Sequence, residues 1–124
     1  MKDTMKELEY QGKKYKVVFN LNVMEAIQDE YGTLDKWTEL TGGEDEEGNN
    51  IEVNAKAVIF GFTQMINEGI DIQNEEEGTD LKPLTLKQVG RMLTNIGIDK
   101  ATSKMQETVI DSVGASSEDK SKNE

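Results

Sequence analysis

The stretch Tyr15 to Trp37, YKVVFNLNVMEAIQDEYGTLDKW, changes its hydrophobic period within its own length, which commits the chain to a mixed fold. Tyr15, Val17 and Phe19 alternate as a strand does. Leu8 and Tyr10 do the same on the far side of Gln11-Gly12-Lys13. Alternation around a glycine-containing break predicts a β-hairpin with one buried face, its strands at about 6–11 and 14–20. A lone hairpin is marginal in water, so this one has to pack on helices or pair with another strand. The period then changes to helical. Asn22 reads as an N-cap with Glu25 closing a capping box, Met24, Ile27, Gln28 and Tyr31 follow at helical spacing, and Gly32 supplies the stop. Thr33 caps a second short helix from Leu34 to about Thr41, with Leu34, Trp37 and Leu40 on one face.

Downstream the same signals predict three more helices. Asn54 caps the most apolar segment, in which Ala57, Val58, Ile59, Phe60, Phe62, Met65 and Ile66 cover more than half of the circumference. Such a helix is either central to a core or open to a partner. Gly61 in its middle weakens it by about 1 kcal/mol relative to Ala and points to close approach by a neighbour. Gly69 reads as its end. Thr85 with Gln88 forms another capping box before the stripe Leu86, Val89, Leu93 and Ile96, and Gly97 ends that helix. Asp99 reads as the cap of the last one, where Ala101, Met105, Val109 and Val113 recur every fourth residue. The expected architecture is therefore α+β and mostly α: an N-terminal β-hairpin, about five short helices, a single domain over 1–113, and a disordered polar tail over 114–124.

The 124 residues allow one domain with a core, and charge narrows what it does. The net charge is −11. Five acids and no base fall between Gly42 and Glu52, and five more between Asp71 and Asp80. These ten account for all but one of the net negative charges, so both segments read as solvated loops around a nearly neutral body. A chain this acidic repels a phosphate backbone, which argues against nucleic acid as a partner. No apolar run suits a signal peptide or a membrane span, so the expected location is the cytoplasm.

The residue inventory also narrows the chemistry. The chain has no Cys and no His, which excludes thiolates, disulfides, the commonest general base and the commonest transition-metal ligand. Neither acidic segment fits a calcium loop: aligned on Gly48 or Gly78, the twelfth position is Asn54 or Leu84, and neither closes the loop with a bidentate carboxylate. The glycine-containing segments carry the wrong charge for phosphate. Asp29 and Glu30 lie together on a polar helix face, where solubility is the ordinary role. No catalytic residue, metal site or cofactor is expected. Trp37 and Tyr31 suit either a small core or an interface anchor, and the Met residues suit either a core or an adaptable binding surface.

The order of these signals resembles a known family. Phe19-Asn20-Leu21-Asn22, then Met24-Glu25-Ala26-Ile27 and Glu30-Tyr31-Gly32-Thr33-Leu34, with the later Leu84-Thr85-Leu86-Lys87-Gln88-Val89-Gly90 opening a helix, resemble the small tail assembly chaperones of long-tailed bacteriophages and prophages. The similarity spreads over about residues 8–113. It implies a non-enzymatic protein of the host cytoplasm that binds the tape measure protein, helps recruit tail tube subunits and is absent from the mature virion. Homo-oligomers are compatible with it. The chemistry of the chain fits: a carrier of apolar helices needs grooves and a charged exterior. The expected client surface lies on the third and fourth helices, at Phe62, Met65, Ile66, Val89, Met92 and Leu93. Two other readings fit the same residues, a structural tail or head-completion protein retained in the virion and a small acidic regulatory adaptor.

Overall fold

The computed structural model describes residues 4–44, 50–51 and 53–122, with side chains over 7–42 and 53–112. Strands β1 (Thr4–Tyr10) and β2 (Lys13–Phe19) form the expected antiparallel hairpin, each one or two residues earlier than the alternation suggested. Tyr10 faces Lys13 and Leu8 faces Tyr15 across the ladder. The turn between them has positive φ at both Gln11 (52°) and Gly12 (77°), as a two-residue hairpin loop requires for matching strand twist.

Five helices follow: α1 (Leu21–Tyr31), α2 (Leu34–Leu40), α3 (Ala55–Glu77), α4 (Leu86–Ile96) and α5 (Ile98–Lys122). The first acidic segment is closed at its base by a short antiparallel pair that the sequence did not suggest, β3 (Gly43–Glu44) with β4 (Asn50–Ile51). Its remaining acids lie outside the described residues. The segment 114–124, expected to be a disordered tail, also falls where side chains are outside the described residues, although the α5 backbone is helical to Lys122.

Three helix boundaries differ from expectation. The cap of α1 is Asn20, whose side chain accepts from the Val23 amide at 3.2 Å. Asn22 lies inside the helix instead and donates to Glu68 Oε2 at 2.9 Å, beside a second donation from Asn20 at 2.7 Å. One carboxylate on α3 thus holds the start of α1. At the last helix Gly97 precedes Ile98 directly, leaving Asp99 in the first turn, where an acid complements the helix dipole. The largest difference is at α3. Gly69 does not end it; the helix continues to Glu77 and stops at Gly78, which is left-handed (φ 69°). Gly69 is there for packing, because its missing side chain leaves room for the Lys16 carbonyl of β2. Most of the second acidic segment is therefore the last turns of α3.

The core gathers around α3. Leu8, Val17 and Phe19 of the hairpin, Val23 and Ile27 of α1, and Trp37 of α2 are buried with Phe62, Met65 and Ile66 of α3. Val89, Met92 and Leu93 of α4 join them, as do Ala101, Met105 and Val109 of α5. Trp37 lies against Gly61 and donates its indole N–H to the Ala57 carbonyl at 3.0 Å, so Gly61 permits the close approach its position suggested. The last helix is tied to the body by two side chains: Gln106 donates to the Gly42 carbonyl (2.9 Å) and Ser112 to the Phe19 carbonyl (3.3 Å).

Between α3 and α4 the chain runs back along α3 and is held by two asparagines. Asn67 donates to the Leu84 carbonyl (3.0 Å) and accepts the Leu84 amide (2.8 Å). Asn74 makes the same pair with Leu81, at 3.0 Å each way. Seven helical residues rise about 10.5 Å. Three extended residues span about 10 Å. The two spacings match, and the return segment is fixed in register before Thr85 and Gln88 cap α4 with the expected reciprocal box.

Candidate protein-docking groove

All six residues expected to form the client surface are core. Phe62, Met65, Ile66 and Val89 have no exposure, and Met92 and Leu93 have 1% and 2%. The reason is their spacing. Phe62, Met65 and Ile66 stand at i, i+3 and i+4, and so do Val89, Met92 and Leu93, so each set makes one stripe. In a domain this small the best apolar stripe of each helix is used for folding. The six side chains therefore face the core and offer no surface to a partner.

The apolar residues left over form a groove on the outside of the same two helices. Ile59 and Phe60 of α3 are half-buried, Leu86 of α4 is 52% exposed, and Gly90 forms the floor between them. With Lys56 and Lys87 these residues enclose a cleft of about 410 Å³. It continues past Ala55, Leu93 and Thr94 to Ile98, which is 43% exposed. A side chain at Gly90 would sit 3.5 Å from Ile59 Cδ1, so the glycine keeps the groove deep where α3 and α4 come closest to it. The two lysines stand at the groove edge with apolar stems and charged heads. In a chain of net charge −11 they make the site locally cationic.

Phe60 is braced from behind. Tyr31, at the end of α1, meets it edge to face, with ring centroids 5.6 Å apart and planes at 73°. The Tyr31 hydroxyl is buried with no hydrogen-bond partner among the described residues. Burial, and then the neighbouring Glu30 carboxylate, raise its pKa above the ordinary 10.0. Below that value the phenol is neutral in both folded and unfolded chains. As pH rises past it, the unfolded chain ionises first and stability falls. Tyr31→Phe keeps the ring contact and removes the unsatisfied oxygen. It is expected to gain about 1 kcal/mol in urea unfolding at neutral pH and to flatten the alkaline loss of stability.

Among the described residues no group of three or more acids is placed to hold a metal ion, and no helix is long and apolar enough to cross a membrane. Hairpin and helices define a small, mostly helical α+β fold with an open apolar groove between α3 and α4. Comparison with protein-family models, with characterised proteins and with solved structures finds no match for the chain.

Proposed function

We propose that this chain is a non-enzymatic tail assembly chaperone of a long-tailed phage or prophage. It acts in the bacterial cytoplasm, holds an apolar helical segment of the tape measure protein, and helps bring tail tube subunits to it. The observation that carries this reading is the groove between α3 and α4. It is lined by Ile59, Phe60 and Leu86 and flanked by Lys56 and Lys87. An amphipathic helix lays its apolar side into such a groove, with anchors at i, i+3, i+4 and i+7. The lysine heads select one that carries acids beside those anchors. The order of capped elements that resembles the phage family supports the choice of client, and the acidic exterior suits a carrier of apolar segments.

Leu86 and Ile98 are exposed, so an acid at either position leaves the core intact. Leu86→Asp with Ile98→Asp is expected to abolish co-elution with the co-expressed tape measure protein in size-exclusion chromatography, with the circular dichroism spectrum unchanged. Undiminished co-elution of the double variant would reject the groove as the client site. Mass spectrometry of purified particles tests the assembly role separately, since a chaperone is absent and a structural tail protein is present at stoichiometric copy number.

A further inference from the structure

The side of α4 turned away from the groove faces a second cleft of different chemistry. At 100° per residue, Leu86, Lys87 and Gly90 lie on one side of the helix, and Gln88, Arg91 and Met92 on the other. The hairpin tip supplies the facing wall. Because Tyr10 pairs with Lys13 and Leu8 with Tyr15, these four side chains share one face of the ladder. Leu8 carries that face into the core, while Tyr10, Lys13 and Tyr15 continue it beyond the core edge. Together with Gln88, Arg91 and Met92 they bound a cleft of about 450 Å³.

Its charge runs against that of the molecule. Arg91 is the only arginine in a chain of net charge −11, and Lys13 stands across the cleft from it with no acid in the lining. Among the described residues neither cation has a carboxylate partner, and neither tyrosine hydroxyl has a protein hydrogen-bond partner. Gln88 Oε1 already accepts from the Thr85 amide, which leaves its amino group as a further donor. The floor is apolar, made by Met92 (1% exposed) and the half-buried Leu84. The cleft thus offers a guanidinium fork, an ammonium, phenol donors and an apolar base. Arg binds carboxylates in bidentate fashion.

We propose that this cleft is a second docking site, distinct from the α3–α4 groove, for an acidic peptide segment of a protein partner. One or two carboxylates of that segment meet Arg91 and Lys13, and an adjacent aliphatic side chain lies on Met92 between Tyr10 and Tyr15. A polyphosphate is disfavoured because its many charges all feel the repulsion of the whole molecule, whereas a peptide brings one or two and contributes apolar burial.

The test is an NMR titration of the full chain with acetyl-Glu-Leu-Glu-amide, with its Gln-Leu-Gln counterpart, and with inorganic phosphate. The glutamate peptide is expected to give saturable shifts at the Arg91 Nε–H and the Lys13 and Gln88 amides, with Ile59 and Leu86 methyls unmoved. Arg91→Gln and the glutamine peptide should each weaken binding on the order of tenfold, and Arg91→Lys should restore part of it. Absence of saturable shifts would overturn the site, as would equal binding of the glutamine peptide or an unaffected Arg91→Gln variant. Phosphate binding as tight as the peptide would overturn its assignment to carboxylates. Shifts confined to Ile59 and Leu86 would place the peptide in the groove instead and reject the cleft while leaving the groove standing.

Discussion

Gly69→Ala is expected to lose about 2–4 kcal/mol of stability, seen as a lower urea midpoint at unchanged slope. The added methyl would fall inside contact distance of the Lys16 carbonyl oxygen and 3.1 Å from its carbon. That oxygen belongs to a paired strand, so relief requires moving either β2 or α3, and the core lies between them. Helix propensity alone predicts the opposite sign, a gain of about 1 kcal/mol for Gly→Ala inside a helix. Gly90→Ala supplies the control, since its methyl meets only Ile59 Cδ1 at ordinary contact distance, 3.5 Å. That variant should gain up to about 1 kcal/mol. Opposite signs for two glycines inside helices would establish that close approach of β2, rather than backbone freedom, sets the requirement at Gly69. Equal signs would reject it.

Trp37→Ala carries the other large effect, about 3–5 kcal/mol. Trp37 is 1% exposed, and its removal empties the contact between α2 and the first turns of α3. A domain of this size holds about 5–15 kcal/mol in total, so the variant should unfold at a much lower urea midpoint, read by far-ultraviolet dichroism because the change removes the chain's single Trp. Gly61 lies directly beneath the ring, and its role is conditional on it. In the parent chain a methyl there would overlap the indole, which cannot swing away because it is enclosed. Once Trp37 is Ala, the same Gly61→Ala change should become neutral or favourable. A double-mutant cycle in which the two changes simply add would show that they do not share a contact.

What the sequence made legible follows the range of the forces involved. The hairpin turn at Gln11-Gly12, the Thr33 cap, the Asn54 cap and the Thr85–Gln88 box are decided by neighbours three or four residues away, and all are found in place. Gly69 and Asn22 were misread because each is committed to a residue far along the chain. Gly69 makes room for Lys16, and Asn22 meets Glu68. A local rule reads a glycine as a stop and an asparagine as a cap, and cannot register a partner in another element. The client surface failed for a related reason. Periodicity finds the strongest apolar stripe, and packing assigns that stripe to the core, so the open groove is built from what remains at Ile59, Phe60 and Leu86. Its signal was present as apolar residues in excess of one stripe on each helix. Asn67 and Asn74 gave no sign of their roles, because nothing local separates a clamp from an exposed polar residue.

Those two asparagines have a consequence for how the chain behaves among others of its kind. The stretch from Thr79 to Leu84 lies outside helix and strand, its Leu81–Leu84 part runs back along α3 and Leu81 is 46% exposed, features that ordinarily invite an incoming strand. Here the amide and carbonyl of both Leu81 and Leu84 are already engaged by side chains of α3. Between those clamps Pro83 has no N–H to offer, and Lys82 adds a charge. With the Leu81 and Leu84 positions taken, a second extended chain finds less of a ladder to join. An extended segment held in this way gives the folded chain one place fewer at which aggregation could start.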